Sequence, residues 1–194
     1  MTSVPTFTDL PFTRGEDFKK WLAPFIGMPV HGLEIGSYEG ASALWMMENI
    51  LTHPQSQLTC VDTWLGEDNQ QIHNVNLEQA EKNFLANTAA YRECFPKRIV
   101  VVKGDSARMV RQLGTQYSFA YIDGSHQAPD VLVDAISAYL VLKRDGVMIF
   151  DDYLWHPDLG MLHEPKIAID AFMFMFKERI KVLDIGYQVA IVKL

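Results

Sequence analysis

Five acids fall where strands are expected to end: Glu34, Asp62, Asp123 and the pair Asp151 and Asp152. His126 stands three residues beyond Asp123. In a parallel sheet all strand carboxyl ends share one edge, so these groups should converge on one crevice. Carboxylates gathered there repel one another unless a cation enters. Asp123, Asp151 and Asp152 offer hard oxygen ligands, which suit Mg²⁺, Mn²⁺ or Ca²⁺ rather than a thiolate-preferring metal. A sulfonium cofactor is a second cation that such a crevice would welcome, and the two are compatible. His126 has an imidazole that titrates near neutrality and is placed to take a proton from a substrate hydroxyl. The plainer reading is a helix-start histidine that bonds locally. His156 and His163 lie in a loop and are given no role.

The stretch that brings a ligand to these acids is Val30–Ser42, VHGLEIGSYEGAS. It reads as a buried strand (Val30 to Ile35), a tight turn and a helix start. Glu34, Gly36 and Gly40 spell E-x-G-x-x-x-G, with Ser37 inside the turn. Glycine lets backbone approach a ligand closely, and a helix beginning near Gly40 points N–H groups into the turn. A nucleoside-type ligand fits there. Gln57–Asp62 reads as the second strand, and Asp62 ends it 22 residues after Gly40. A carboxylate at that place can accept from both ribose hydroxyls, or it can cap the next segment. Thr63 and Trp64 follow in a polar loop over 63–75, where Trp64 covers a base or substrate or else anchors the loop. In Gly104-Asp105-Ser106, Asp105 can accept from a purine's exocyclic amine or serve only as a helix N-cap.

The elements needed to hold these residues are legible in the same pattern. Residues 1–12 form an extended arm with Pro5 and Pro11. Thr13 and Glu16 have the spacing of a capping box, and Phe18, Trp21, Leu22 and Phe25 form the apolar stripe of the helix behind it. Ala43, Leu44, Met47, Ile50 and Leu51 continue the helix after the glycine turn to about Thr52. Strand, helix and strand in that order make a βαβ unit with parallel strands. A helix is expected from about Asn76 to Tyr91, then strands at Arg98–Lys103 and Ser118–Asp123. The next helix turns Val131, Leu132, Ala135, Ile136 and Tyr139 inward and is expected to stop at Lys143-Arg144-Asp145-Gly146, with a C′ glycine. Val147–Phe150 is the fifth strand. A helix from Pro165 is apolar on most sides. Ile180–Asp184 and Gln188–Lys193 form a hairpin, so the last strand runs antiparallel to an otherwise parallel sheet. Two regions result: an N-terminal arm and helix over 1–27, packed on one α/β domain over 28–194.

Composition narrows the partners. The 194 residues are 48% hydrophobic and 21% charged, enough for one well-filled domain. A net charge of −7 argues against a general nucleic-acid binder. No apolar run reaches membrane-spanning length and no signal peptide is seen, so a cytoplasmic protein acting on a small molecule is expected. Cys60 and Cys94 have no metal-type spacing and read as reduced thiols. The apolar helix around Ile167–Phe176 offers a surface for a homo-oligomer.

The segments EIGSYEG, VDTW, GDS, YIDGSH and FDDY, in this order and spacing, resemble the class I S-adenosylmethionine-dependent methyltransferases. Within that family they are most similar to the macrolide-sugar O-methyltransferase and cephalosporin-biosynthesis group. The resemblance runs over about residues 28–193. It implies a Rossmann-like seven-stranded sheet with an antiparallel last strand and helices on both faces. It places Glu34, Gly36, Ser37 and Gly40 along the methionine and ribose side of S-adenosylmethionine, with Asp62 on the ribose hydroxyls and Asp105 and Ser106 beside the adenine. Thr63, Trp64 and Asp123 complete the cofactor-binding set. It also implies a divalent metal, Mg²⁺ foremost, on Asp123, Asp151 and Asp152, and a catalytic pair of His126 and Asp123. The expected reaction is metal-assisted O-methylation of a small hydroxylated acceptor. Two alternatives stand beside it. A nicotinamide-dependent oxidoreductase would want G-x-G-x-x-G, where this turn has Ser37 and Glu39. A non-catalytic binding or assembly protein could retain the fold, but buried acids without a function cost stability.

Overall fold

Seven apolar segments pair into one sheet in the computed structural model, which describes residues 5–8, 12–66, 76–94, 97–114, 116–155 and 158–194. The strands are β1 (His31–Ile35), β2 (Gln57–Asp62), β3 (Ile99–Lys103), β4 (Tyr117–Ile122), β5 (Leu142–Phe150), β6 (Ile180–Ile185) and β7 (Val189–Lys193). Their spatial order is β3-β2-β1-β4-β5-β7-β6. The first five run parallel, and β7 is antiparallel to both β5 and β6. The order reverses between β1 and β4, which is where an open α/β sheet forms its ligand crevice.

Helices cover both faces: α1 (Gly15–Leu22), α2 (Ala41–Asn49), α3 (Leu77–Asn87), α4 (Ala89–Arg92), α5 (Ser106–Met109), α6 (Ala128–Val141) and α7 (Pro165–Phe176). Strand alternation divides the core in two. Along β4, Phe119 and Tyr121 join Phe18, Trp21, Leu22, Met46, Met47 and Phe84 on the side of α1, α2 and α3. Ala120 and Ile122 turn the other way, toward Ala135, Ala138, Ile169 and Phe172 of α6 and α7. Every residue of β4 is buried, as expected of a central parallel strand. On α7, Phe174 and Met175 remain exposed. Among the described residues no helix is long and apolar enough to cross a membrane.

Three local expectations are corrected. The capping box at Thr13 and Glu16 does not form: Arg14 is the N-cap of α1 and no side chain caps it. The helix expected over 76–91 breaks at Thr88, whose buried hydroxyl donates to the Phe84 carbonyl at 2.7 Å. Back-bonding of this kind satisfies the hydroxyl at the expense of helix continuity. Finally, α6 ends at Val141, and Lys143-Arg144-Asp145-Gly146 belongs to the start of β5. Leu142 already pairs with Tyr117 of β4. The left-handed residue in this bend is Asp145, at φ +61°, not Gly146. Asp tolerates that region better than most residues, which is why a cap-like sequence can sit inside a strand.

Candidate active site

A cavity of about 730 Å³ opens at the carboxyl ends of the strands. Its floor is the turn between β1 and α2. Gly36 has φ +83°, and a Cβ there would lie 1.9 Å from the Asp123 carbonyl oxygen. Only glycine lets β1 and β4 end this close together. Gly40, at φ +85°, is the N-cap of α2 and does not reach the cavity wall. The turn's amides do not point at open space. Asp62 Oδ2 accepts from the N–H of Ser37 at 2.8 Å and of Tyr38 at 3.0 Å. Its Oδ1 accepts from Trp64 N–H at 2.7 Å. One carboxylate thus joins the β1–α2 turn to the chain leaving β2. It still lines the cavity, and a carboxylate has about four acceptor positions, so capacity for a hydroxyl is left. Asp62→Asn would set an amide donor against backbone donors. It is expected to cost about 1–3 kcal/mol, read as a lower melting temperature.

Glu34 is placed differently from expectation. It is fully buried beneath the turn and is not part of the cavity wall. Ser37 Oγ donates to it at 2.7 Å and Ser42 Oγ at 2.6 Å, so it clamps the turn to the first turn of α2. Burial pushes its carboxyl upward, and the two serine hydroxyls oppose that shift. Trp64 is 5% exposed. Its indole N–H donates to the Tyr38 carbonyl at 2.9 Å and its ring lies 5.0 Å from Phe84. It braces the wall. Thr63 lines the cavity, and its hydroxyl accepts from Leu65 N–H at 3.1 Å.

On the next strand end, Asp105 is the N-cap of α5 and accepts from Arg108 N–H at 2.9 Å. Ser106 Oγ donates to Asp134 Oδ1 at 2.6 Å. All three line the cavity. Asp134 escaped the sequence pattern. Its signal was one acid within the inward stripe of Val131, Leu132, Ala135 and Ile136.

The acidic end is built around Tyr121, also unforeseen. It lies two residues before Asp123 on β4 and so faces the same way. Its phenol oxygen lies 2.8 Å from Asp123 Oδ2 and also meets Asp151 Oδ2 closely. A phenol has one hydrogen, so it cannot serve two carboxylates as donor. A proton held by the acids resolves this. Burial raises the Asp123 carboxyl well above its ordinary range, and repulsion from Asp151 and Asp152 adds to it. Asp151 is raised as well, by burial and by Asp152.

Asp152 goes the other way. Burial disfavours its charge, yet hydrogen bonds from His126 and Tyr187 and the nearby Arg14 charge outweigh it and hold the carboxyl below its usual value. His126 Nε2 lies 2.8 Å from Asp152 Oδ2, and Tyr187 Oη donates to Oδ1 at 2.8 Å. The guanidinium of Arg14 stacks 4.5 Å over the Tyr187 ring. Trp155 packs against the His126 ring at 4.6 Å.

Asp123 and His126 line the cavity, and Asp151 and Asp152 sit behind them. The three aspartates therefore do not meet at one point: two share Tyr121, and the third turns to His126 and Tyr187. Among the described residues no group of three or more His, Cys, Asp or Glu side chains is preassembled for a metal ion. His163 also reaches the cavity, and His156 lies outside the described residues.

The N-terminal arm completes the mouth. Phe12 lines the cavity and packs on Phe18 at 5.0 Å. Glu39, nearly fully buried, accepts from Thr8 N–H at 2.6 Å and Asn83 Nδ2 at 2.7 Å.

Known proteins share this architecture. The chain is similar to the O-methyltransferase from Bacillus cereus in complex with SAH, with TM-score 0.66 and 15% identity over 97% of this chain and 84% of that one. It is similar to the O-methyltransferase NovP, with TM-score 0.70 and 16% identity over 93% and 79%. MycE methyltransferase from the mycinamycin biosynthetic pathway, in complex with Mg and SAH, superposes with TM-score 0.59 and 17% identity over 92% of this chain and 48% of that one. At these identities the likeness is one of fold. No curated protein matches the chain. The family model for the methyltransferase domain matches residues 33–153, which include the glycine turn, Asp62, the acids and His126, and the chain belongs to that family.

Proposed function

We propose that this protein is an S-adenosylmethionine-dependent O-methyltransferase acting on a small hydroxylated acceptor, with a divalent metal assisting. The observation that carries the reading is the cavity itself. One wall joins the Asp62 and Ser106 rims to Asp123 and His126, so a nucleoside end and a reacting end share one space. When bound, S-adenosylmethionine supplies an electrophilic methyl carbon for an oxygen nucleophile in line with the departing sulfur. The acids around Asp123 suit its positive charge. Asp123 and Asp151, which meet at Tyr121, have the donor type for a hard divalent cation, and the chemistry it would supply is acidification of a hydroxyl; Asp152 is turned to His126 and Tyr187 and is not gathered with them.

The chain's own residues do the rest. Asp152, kept ionised, orients the imidazole so that Nε2 carries hydrogen toward it. The imidazole is the group that takes the acceptor's proton, and Asp152 stabilises the resulting imidazolium. Trp155 holds the ring's plane. The glycine turn and the Asp62 staple fix the floor, so the gain is chiefly one of alignment.

The family match supports this reading over the nicotinamide alternative. So does the turn, because a pyrophosphate would need the Ser37 and Tyr38 amides that Asp62 already occupies.

Calorimetric titration with S-adenosylmethionine, repeated with Mg²⁺, with EDTA and with NADH, tests it. Micromolar binding of the sulfonium cofactor, at least about tenfold weaker in Asp62→Ala, is the expected result. Tight NADH binding, or no nucleoside binding under any metal condition, would overturn the proposal.

A further inference from the structure

One buried acid of the cavity has no part in the chemistry above. Asp134 lies on the inward face of α6 and is 3% exposed. Its Oδ1 receives the Ser106 hydroxyl at 2.6 Å. Its Oδ2 stands over Gly124, 3.6 Å from where a Cβ on that glycine would be. The charged groups that face it are other acids: Asp105 from the β3–α5 turn and Asp130 from its own helix. Burial above all, with those two carboxylates, pushes its carboxyl up to about 7, while the Ser106 hydrogen bond opposes the shift. Such an acid is costly to keep, and the group that donates to it is a serine on the cavity rim.

The place of that serine decides what it can do. The reacting end of the cavity is fixed by Asp123 and His126 at the tip of β4. Asp62, at the tip of β2, is the hydroxyl-binding candidate. Gly104 N–H donates to the Asp62 carbonyl at 2.9 Å, so the rim from Gly104 to Ala107 adjoins that site, and on the cofactor reading it borders the heterocyclic base. A serine hydroxyl has one hydrogen and two lone pairs. When Asp134 is ionised it can only accept, so the Ser106 hydrogen is directed at it and Ser106 presents only lone pairs to the cavity. It can then accept from an amino group, and it opposes an oxo group, which is also an acceptor.

We propose that Asp134 is a positioning residue that holds Ser106 as an acceptor toward the base, and thereby selects a 6-aminopurine nucleoside over its 6-oxo counterpart. The assignment rests on the cofactor reading proposed above.

The test compares binding of S-adenosylhomocysteine and S-inosylhomocysteine by calorimetry at about pH 8.5, where Asp134 is ionised and can only accept from Ser106. The wild-type protein is expected to prefer the amino ligand by at least about tenfold, since a site built around a hydrogen bond penalises the wrong partner strongly. Asp134→Ala frees the Ser106 hydroxyl to turn and donate, so the preference falls to about threefold or less. Ser106→Ala does the same without emptying the core position, which keeps the test decisive if Asp134→Ala folds poorly. Asp134→Asn, whose amide oxygen still accepts, retains the preference. A purely structural Asp134 would weaken both ligands alike and leave their ratio unchanged, and an unchanged ratio in both alanine variants overturns the assignment alone. Failure of the wild-type protein to bind either ligand overturns the cofactor reading and this assignment together.

Discussion

Gly36→Ala is expected to cost this protein about 3–5 kcal/mol and to abolish nucleoside binding. Two terms add. The backbone at φ +83° is a conformation that L side chains rarely adopt, worth about 1–2 kcal/mol against alanine. The steric term is larger. The new Cβ would stand 1.9 Å from the Asp123 carbonyl oxygen and 2.6 Å from the Gly124 Cα. These are backbone atoms, so no rotamer change relieves the clash. Nor can the strands drift apart cheaply. Asp123 N–H donates to the Ile35 carbonyl at 2.8 Å, and Gly36 N–H donates to the Val61 carbonyl at 2.9 Å. Relief therefore requires opening the junction of β1, β2 and β4, which is the cavity floor. A thermal melt should show a midpoint lower by roughly 10 °C or more for a chain of this size. A melt within a degree or two of the parent would mean that the junction yields elastically.

The second large effect concerns rate. His126→Ala is expected to lower single-turnover methyl transfer by about 10²–10⁴-fold, with cofactor affinity nearly unchanged. The imidazole is the candidate base nearest the reacting end, and Asp152 is spent on orienting it. Asp152→Asn keeps the size of the orienting group but not its charge, and an intermediate loss is expected, because the imidazolium loses its counter-charge. The measurement is rapid-quench turnover with saturating cofactor and whichever hydroxylated acceptor proves active. A rate for His126→Ala within about threefold of the parent would show that the proton leaves by another route, since a base of this kind carries far more than that.

Much of the frame was legible because it is written in local pattern. β2 occupies Gln57–Asp62 as its apolar run indicates, and the hairpin of β6 and β7 follows from two short runs around Gly186. The errors arose where a side chain chose a distant or buried partner. Lys143-Arg144-Asp145-Gly146 has the composition of a helix cap, but pairing of Leu142 with β4 had already extended the chain. Glu34 stands at a strand end like the other acids, yet Ser37 and Ser42 draw it under the turn. Tyr121 stood in YIDGSH with no role of its own, and Asp134 carried no motif. Their significance lies in contacts with Asp151, 30 positions away, and Ser106, 28 positions away. A pattern of period 2 or 3.6 tells which side of an element is inward, but it does not tell which polar group waits there.

The Asp62 staple has a consequence for the thermodynamics of ligand capture. A turn that orders only when a nucleoside arrives must surrender backbone entropy at that moment. Here the amides of Ser37, Tyr38 and Trp64 are already drawn onto one carboxylate, so that entropy was given up when the chain folded. The heat released on this side of the cavity should therefore appear in the affinity with little offset. Calorimetric comparison with Asp62→Ala would then show a more unfavourable binding entropy in the variant, not merely a smaller binding enthalpy.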